Sequence, residues 1–315
     1  MPRRTPHTPQ SPQKPQAAGL LARITPMVVV AAVSVGCAGV MVLNYPFPAT
    51  QEPMREQQTI SREEVEGTLA STDSDASVEG LAVIGEFDAI SQSSDQNRAD
   101  NLALAAAELD GTTLQPGEAL SVNEILGDTS NDSRYKVAPV FSNGSVSSSR
   151  GGGVCQVSTA LYIAAIKADL DVVERSAHSM VTDYAPIGLD ATLVYGEKDL
   201  KIRNSADHAI TITANSLGQT VDVKIYGASG DDGITYDATS RIVERTEKLA
   251  SECFSDPEAV GLEPGEKLTF YTAESYRVKY KDGVMQESKL LSTDTYRVTG
   301  DSEVQTQEGS VKANK

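Results

Sequence analysis

The sequence predicts an α+β fold in which a cysteine-bearing helix packs on a mostly antiparallel sheet, followed by a small β-rich appendage. Three observations predict it. Between Val157 and Leu170 the apolar residues Val157, Leu161, Ala164, Ala165 and Ala168 recur at helical spacing. Ile210 to Ala214 and Val221 to Tyr226 alternate apolar and polar residues, as half-buried antiparallel strands do. After Gly233 the pattern changes to further strand-like runs, Ile242 to Arg245 and Ser275 to Tyr280, with Lys281-Asp282-Gly283-Val284 a hairpin signal. Of the 315 residues, 39% are hydrophobic but only 5% aromatic, with no Trp, so the core has to be aliphatic and Ala-rich.

The N-terminal part reads as an address. Residues 1–25 are Pro-rich and basic, with Arg3, Arg4, Lys14 and Arg23 and no acid. Met27 to Leu43 is uncharged. A bilayer takes about 20 apolar residues, with a lower limit of about 17, so residues 26–44 are expected to be a transmembrane signal anchor. The basic flank puts residues 1–25 in the cytoplasm and the rest of the chain outside. A cleaved signal peptide fits less well, because no small-x-small site precedes a polar stretch. A lipoprotein cysteine at Cys37 also fits less well, because the apolar run continues past it. Residues 45–80 are polar and acidic, the composition of a flexible spacer.

The first domain is expected over residues 81–233. Leu81 to Phe87 is a short apolar strand. Arg98 to Leu109 has helical spacing and is closed by Asp110-Gly111. A turn at Thr113 to Glu118 leads to a short strand, Leu120 to Asn123. A loop at Asn131 to Arg134 precedes a strand, Tyr135 to Phe141. The cysteine helix follows, then strands at Asp171 to Arg175, Asp190 to Tyr195 and Asp199 to Asn204, with a turn at Tyr184 to Gly188. The β-rich appendage is expected over residues 234–300, packed on the first domain, and residues 301–315 as a polar tail.

Charge excludes one class of partner. The net charge is −17, and all 44 acidic residues follow the anchor together with all but four of the 27 basic ones. Such a surface repels nucleic acid, whose binding rests on Lys and Arg neutralising phosphates, so no nucleic-acid partner is expected.

Chemistry concentrates at Gly151-Gly152-Gly153-Val154-Cys155-Gln156. Three glycines free the backbone, and the helix begins just beyond them. Cys155 therefore stands at a helix N-terminus, where the dipole favours a thiolate. The dipole alone is worth about 0.3–1 kcal/mol, less than one pKa unit, so a nearby imidazolium is the natural supplement. His7 precedes the anchor and His208, in Ser205-Ala206-Asp207-His208, reads as a solvated turn residue, which leaves His178. A nucleophile at a helix start with its histidine on a following strand is the arrangement of papain-like and transglutaminase-like enzymes. There a third polar side chain orients the imidazole; Asp190 is the candidate and Asp199 the alternative. Cys155 and Cys253 remain open as a disulfide pair. One cysteine, one histidine and scattered carboxylates lack paired metal-ligand spacing. The glycine run is not followed by Lys-Ser/Thr, so it is no P-loop. Neither metal nor cofactor is expected.

The same residues carry a family resemblance. Arg150 to Tyr162, Val172 to Ser179, Tyr184 to Thr192 and Tyr195 to Asn204 closely resemble the signature of the VanW-domain family, and Pro116-Gly117-Glu118 and Leu120 to Asn123 match upstream. The resemblance covers about residues 81–227. Some members look like L,D-transpeptidases of peptidoglycan, in which a cysteine attacks a stem peptide and a second stem's amine resolves the acyl-enzyme. The resemblance implies that Cys155 is the nucleophile and His178 its base. It further implies that Gln156 or Ser179 helps hold the oxyanion or the imidazole, with Gly152 and Gly153 among the backbone donors of an oxyanion hole. On this reading the protein is a membrane-anchored, extracytoplasmic acyltransferase whose partners are peptidoglycan stem peptides. The alternatives are a non-catalytic module that binds cell-wall peptide or glycopeptide, and a cysteine peptidase or amidase using the same site.

Overall fold

The computed structural model describes residues 78, 80–142, 145–228, 230, 232–298, 303–306 and 309–312. The expected cytoplasmic tail and anchor, and nearly all of the expected spacer, lie outside the described residues. No described helix is long and apolar enough to cross a membrane.

Strands and helices follow one another as β1 (Ala82–Ile90), α1 (Gln96–Leu109), β2 (Thr112–Leu114), β3 (Ala119–Ser121), α2 (Val122–Leu126), β4 (Val137–Ser142), β5 (Ser145–Arg150), α3 (Cys155–Lys167), β6 (Asp171–Glu174), β7 (Lys201–Arg203), β8 (Ile210–Leu217) and β9 (Thr220–Gly227). The C-terminal part adds β10 (Ile234–Leu249), α4 (Ala250–Cys253), β11 (Lys267–Lys281), β12 (Val284–Val298), β13 (Glu303–Thr306) and β14 (Gly309–Lys312). The expected mixture of helices and antiparallel sheet is what forms.

The alternating runs make the main sheet, in the order β1-β9-β8-β2, antiparallel throughout. Ile210, Ile212, Val221, Val223 and Ile225 are fully buried from β8 and β9. α3 packs on β1 and β9, and α1 on β8. The approach of β1 to α3 is close enough to require a missing side chain. A Cβ at Gly85 would lie 2.2 Å from the Ala164 carbonyl oxygen.

Several elements differ from the reading of the sequence, each for a local reason. α1 starts at Gln96 because Asp95 caps it, its Oδ1 accepting from the Arg98 N–H at 2.8 Å. The strand expected through Asn123 stops at Ser121, whose Oγ accepts from the Glu124 N–H at 3.1 Å and starts α2 instead. α3 stops at Lys167, and Asp169 follows with φ +56°. The Ser-rich stretch after Phe141, unassigned from sequence, is β5, paired with β4.

The appendage is a three-stranded antiparallel sheet, β10-β11-β12, and Asp282 and Gly283 (φ +49° and +76°) make its hairpin turn. It docks on the first domain. β10 packs on α3, and Arg277 of β11 pairs with Asp169 and donates to the Leu170 carbonyl at 2.6 Å. The stretch read as a polar tail contains the β13–β14 hairpin, with Val304 buried among Tyr271, Tyr296 and Val298.

Candidate active site

The glycine run is a clamp. Gly153 has φ +107°, and a Cβ there would lie 2.8 Å from Arg98 Cγ. A Cβ on Gly152 would meet the Ala138 carbonyl oxygen at 2.6 Å. The buried Asn101 of α1 donates to the Gly152 and Lys136 carbonyls at 3.0 and 2.9 Å and accepts from the Lys136 N–H at 2.7 Å. The glycines thus allow β4, α1 and the approach to α3 to touch, so the backbone freedom read from the sequence serves close packing. Cys155 is delivered at the first residue of α3 and stays partly exposed.

The strand expected from Asp190 to Tyr195 does not form, because its backbone is used by α3. Ser158 Oγ donates to the Ala191 carbonyl at 2.7 Å, and the Ala191 N–H donates to Thr159 Oγ1 at 3.0 Å. The Thr192 N–H donates to the Ser176 carbonyl at 2.9 Å. This strap brings the Leu193 N–H to 3.3 Å from Cys155 Sγ, with Thr192 Oγ1 at 3.8 Å.

His178 closes the constellation. Its ring is hydrogen-bonded to the Cys155 thiol. Its Nδ1 lies 2.6 Å from Asp190 Oδ2, which also accepts the His178 backbone N–H at 2.7 Å. With Nδ1 held by Asp190, Nε2 is the ring nitrogen left for the sulfur. Asp190 Oδ1 accepts from the Tyr296 hydroxyl at 2.6 Å and from Arg175 at 3.2 Å. Tyr184 meets the His178 ring edge-on at 6.5 Å and carries the Arg98 guanidinium 5.8 Å above its own ring.

Electrostatics follow from this chain. Burial pushes the Cys155 thiol up, but hydrogen bonding and charge from His178, with help from Leu193 and Thr192, bring it below its ordinary value. Burial opposes charge on His178, yet Asp190 and the Cys155 thiolate hold its pKa up at about 9. Burial would raise Asp190; His178, Arg175 and Tyr296 hold it down at about 2. The arrangement therefore favours a thiolate beside an imidazolium and a carboxylate, the charge state of an activated cysteine nucleophile.

The remaining candidates are placed as follows. Asp199 lies elsewhere, accepting from Ser121 Oγ at 2.6 Å and the Asn123 N–H at 3.0 Å. The Gln156 side chain is fully buried and donates to the Ala89 and Gln219 carbonyls at 2.8 and 2.7 Å, so its amide ties α3 to the main sheet. The Ser179 side chain is exposed, while its carbonyl accepts from the Arg297 N–H at 2.8 Å and ties the histidine segment to β12. Val154, Gln156 and Val157 donate their N–H groups to Gly151, Gly153 and Val154. Among the described residues no acceptor engages the N–H of Gly152, Gly153 or Cys155. His208 is only partly exposed and lies 3.0 Å from Asp207 Oδ1. Cys155 and Cys253 are not joined in a disulfide. Among the described residues no group of three or more His, Cys, Asp or Glu side chains is arranged to hold a metal ion.

Residues 97–226 match the sequence model of the family described as VanW like protein. The chain carries a VanW-like domain. Within it lie Cys155, His178 and Asp190; Tyr296 lies outside it. The chain is 32% identical over 145 residues to the uncharacterized protein YoaR of Bacillus subtilis (strain 168), covering 46% of this chain and 48% of YoaR. It is 35% identical over 126 residues to the vancomycin B-type resistance protein VanW of Enterococcus faecalis (strain ATCC 700802 / V583), covering 38% of this chain and 45% of that protein. The chain thus spans about half the length of the curated relatives it matches. No solved structure matches it. Sequence reasoning missed Arg175 and Tyr296. Arg175 lies inside the VanW-like segment, three residues before His178, but Tyr296 is 106 residues from Asp190 and carries no local signal.

Proposed function

We propose that this protein is a cysteine acyltransferase acting on peptidoglycan stem peptides, of the L,D-transpeptidase type. One observation carries the chemical half of the reading: Cys155, His178 and Asp190 form a continuous chain from partly exposed sulfur to buried carboxylate. In it, the Cys155 thiolate adds to a stem-peptide amide carbonyl. The His178 imidazolium gives its proton to the departing amine, leaving a thioester on Sγ. A second stem's amine then attacks the thioester; imidazole takes its proton and the thiolate leaves. The uncommitted N–H of Cys155, joined by Gly152 or Gly153, is the donor set for the oxyanion. Gln156 and Ser179 support the site through scaffold contacts, and Asp190 keeps the imidazole in the tautomer that faces sulfur.

The substrate half rests on the VanW-like domain and on a relative named for vancomycin resistance. An extracytoplasmic placement through residues 26–44 fits a wall substrate. Incubation of the protein with a tetrapeptide stem, followed by mass spectrometry, tests the whole reading. The expected result is a thioester on Cys155 and a cross-linked dimer on adding an acceptor stem, both absent in Cys155→Ala. Release of the shortened stem without a dimer points to a hydrolase instead. Stem binding that persists in Cys155→Ala, with no adduct in the wild type, points to a binding module.

A further inference from the structure

Asp190 receives four hydrogen bonds, two on each oxygen. Oδ2 takes the His178 N–H and faces Nδ1, and Oδ1 takes the Tyr296 hydroxyl at 2.6 Å and Arg175 at 3.2 Å. A carboxylate gripped at both oxygens cannot rotate its Oδ2 away from the imidazole. Without the Tyr296 hydroxyl, Oδ1 keeps only the longer contact. Tyr296 is 1% exposed, and burial together with the Asp190 charge pushes its phenol far up, so it remains a donor across the working pH range.

Arg175 raises a second question. Its buried guanidinium stands against Asp190 and, alone, would offset the negative charge that supports an imidazolium. It is balanced from β12: Arg175 also pairs with Asp294, whose Oδ2 accepts from Ser292 Oγ at 2.7 Å. The charged and titratable groups facing His178 and Asp190 are Cys155 and Tyr162 from α3, Tyr184, Arg175, and Tyr296 from β12, with Asp294 of β12 acting through Arg175, and Arg98 of α1 and Asp183 acting through Tyr184. Two of these come from the appendage, outside the segment that matches the family.

We propose that Tyr296 and Asp294 are positioning residues for the Cys155–His178 pair, Tyr296 by fixing the Asp190 carboxylate and Asp294 by balancing Arg175, so that β12 completes the site. The inference rests on reading Cys155 and His178 as a reactive pair, but not on the identity of the substrate.

Alkylation of Cys155 by iodoacetamide tests it. The full chain is used, the Cys155 peptide is followed by mass spectrometry so that Cys37 and Cys253 do not interfere, and the rate is read against pH. In the wild type the midpoint falls below the ordinary thiol value of about 8.5. Tyr296→Phe and Asp294→Asn each move it upward and slow alkylation at pH 7 by about three- to tenfold, the scale of one ordinary hydrogen bond. The rate recovers in alkaline buffer, where the thiol ionises unaided, and Asp294→Glu restores the wild-type profile. A merely structural role would lower the melting temperature without moving the midpoint. If Tyr296→Phe fails to fold, the partly exposed Asp294 carries the test. Variant profiles that overlay the wild type overturn the proposal. A wild-type midpoint near the ordinary value overturns the reactive pair itself. A low wild-type midpoint without stem-peptide transfer overturns only the proposed substrate.

Discussion

The VanW-like region and the β10–β12 sheet are built on different principles. The first is held by close apolar burial. α3 is buried along nearly its whole length, β8 and β9 are filled with aliphatic side chains, and Gly85 and Gly152 exist because no atom fits beside them. The second is a long ladder whose far end is open to solvent, with Val284, Met285 and Leu290 63%, 61% and 50% exposed. Only at its near end does β12 bury Tyr296 and Val298. The comparison teaches that the reactive groups sit where packing is least forgiving, and that the appendage meets them through a few polar contacts at one end.

The largest expected effect breaks the chemistry without touching the packing. Asp190→Asn keeps the side-chain shape but presents an amide to His178. Acyl transfer should fall on the order of 10^3- to 10^4-fold, measured as the rate of thioester formation on Cys155. A fall below tenfold would mean that Asp190 only packs. The second prediction attacks the packing instead. Gly85→Ala puts a methyl into the backbone of α3 and should destabilise the fold by about 1–3 kcal/mol, read from denaturant midpoints. Activity of the folded fraction should change little, because Gly85 meets α3 at Ala164 and beyond it at Ala168, at the opposite end of the helix from Cys155.

The third concerns pH and separates the two buried ions. Asp190 has its pKa depressed to about 2, so its stabilising contribution is present above the unfolded carboxylate value and is lost as pH falls toward 2. His178 is raised to about 9, so its contribution is full below about 6.5 and is lost as pH rises through 9. Thermal melts should therefore show an acid decline that Asp190→Asn flattens and an alkaline decline that His178→Gln flattens. Activity should show a plateau bounded below by the Cys155 thiol and above by His178 near pH 9. The smallest effect probes the open end of the appendage. Val284→Ser, at a 63% exposed position, should change stability by no more than about 0.5 kcal/mol. A larger loss would show that the ladder's far end is not independent of the core.

Much of this protein was legible from local pattern. Helical periodicity located α1 and α3, alternation located β8 and β9, and Asp282-Gly283 located the hairpin, because each signal depends on residues a few positions apart. The Cys155–His178 pair was legible too, by elimination among three histidines. Other features were not. Gln156, adjacent to the cysteine, reads as a site residue, yet its buried amide serves the carbonyls of Ala89 in β1 and Gln219 in the β8–β9 turn. Sequence alone puts Asp190 first and leaves Asp199 as the alternative for orienting His178; in the fold Asp190 meets the imidazole and Asp199 accepts from Ser121 and Asn123 at the start of α2. The strand expected at Asp190 to Tyr195 gave way to a strap because Ser158 and Thr159 supply its hydrogen bonds. By itself the sequence determined which residues are able to ionise, turn or bury. Only the tertiary structure decided which carboxylate meets the imidazole and that Tyr296, 106 residues away, holds it there. The reason is physical: periodicity and capping act over a turn or a strand, whereas a pKa and a hydrogen-bond chain depend on distances that packing alone sets.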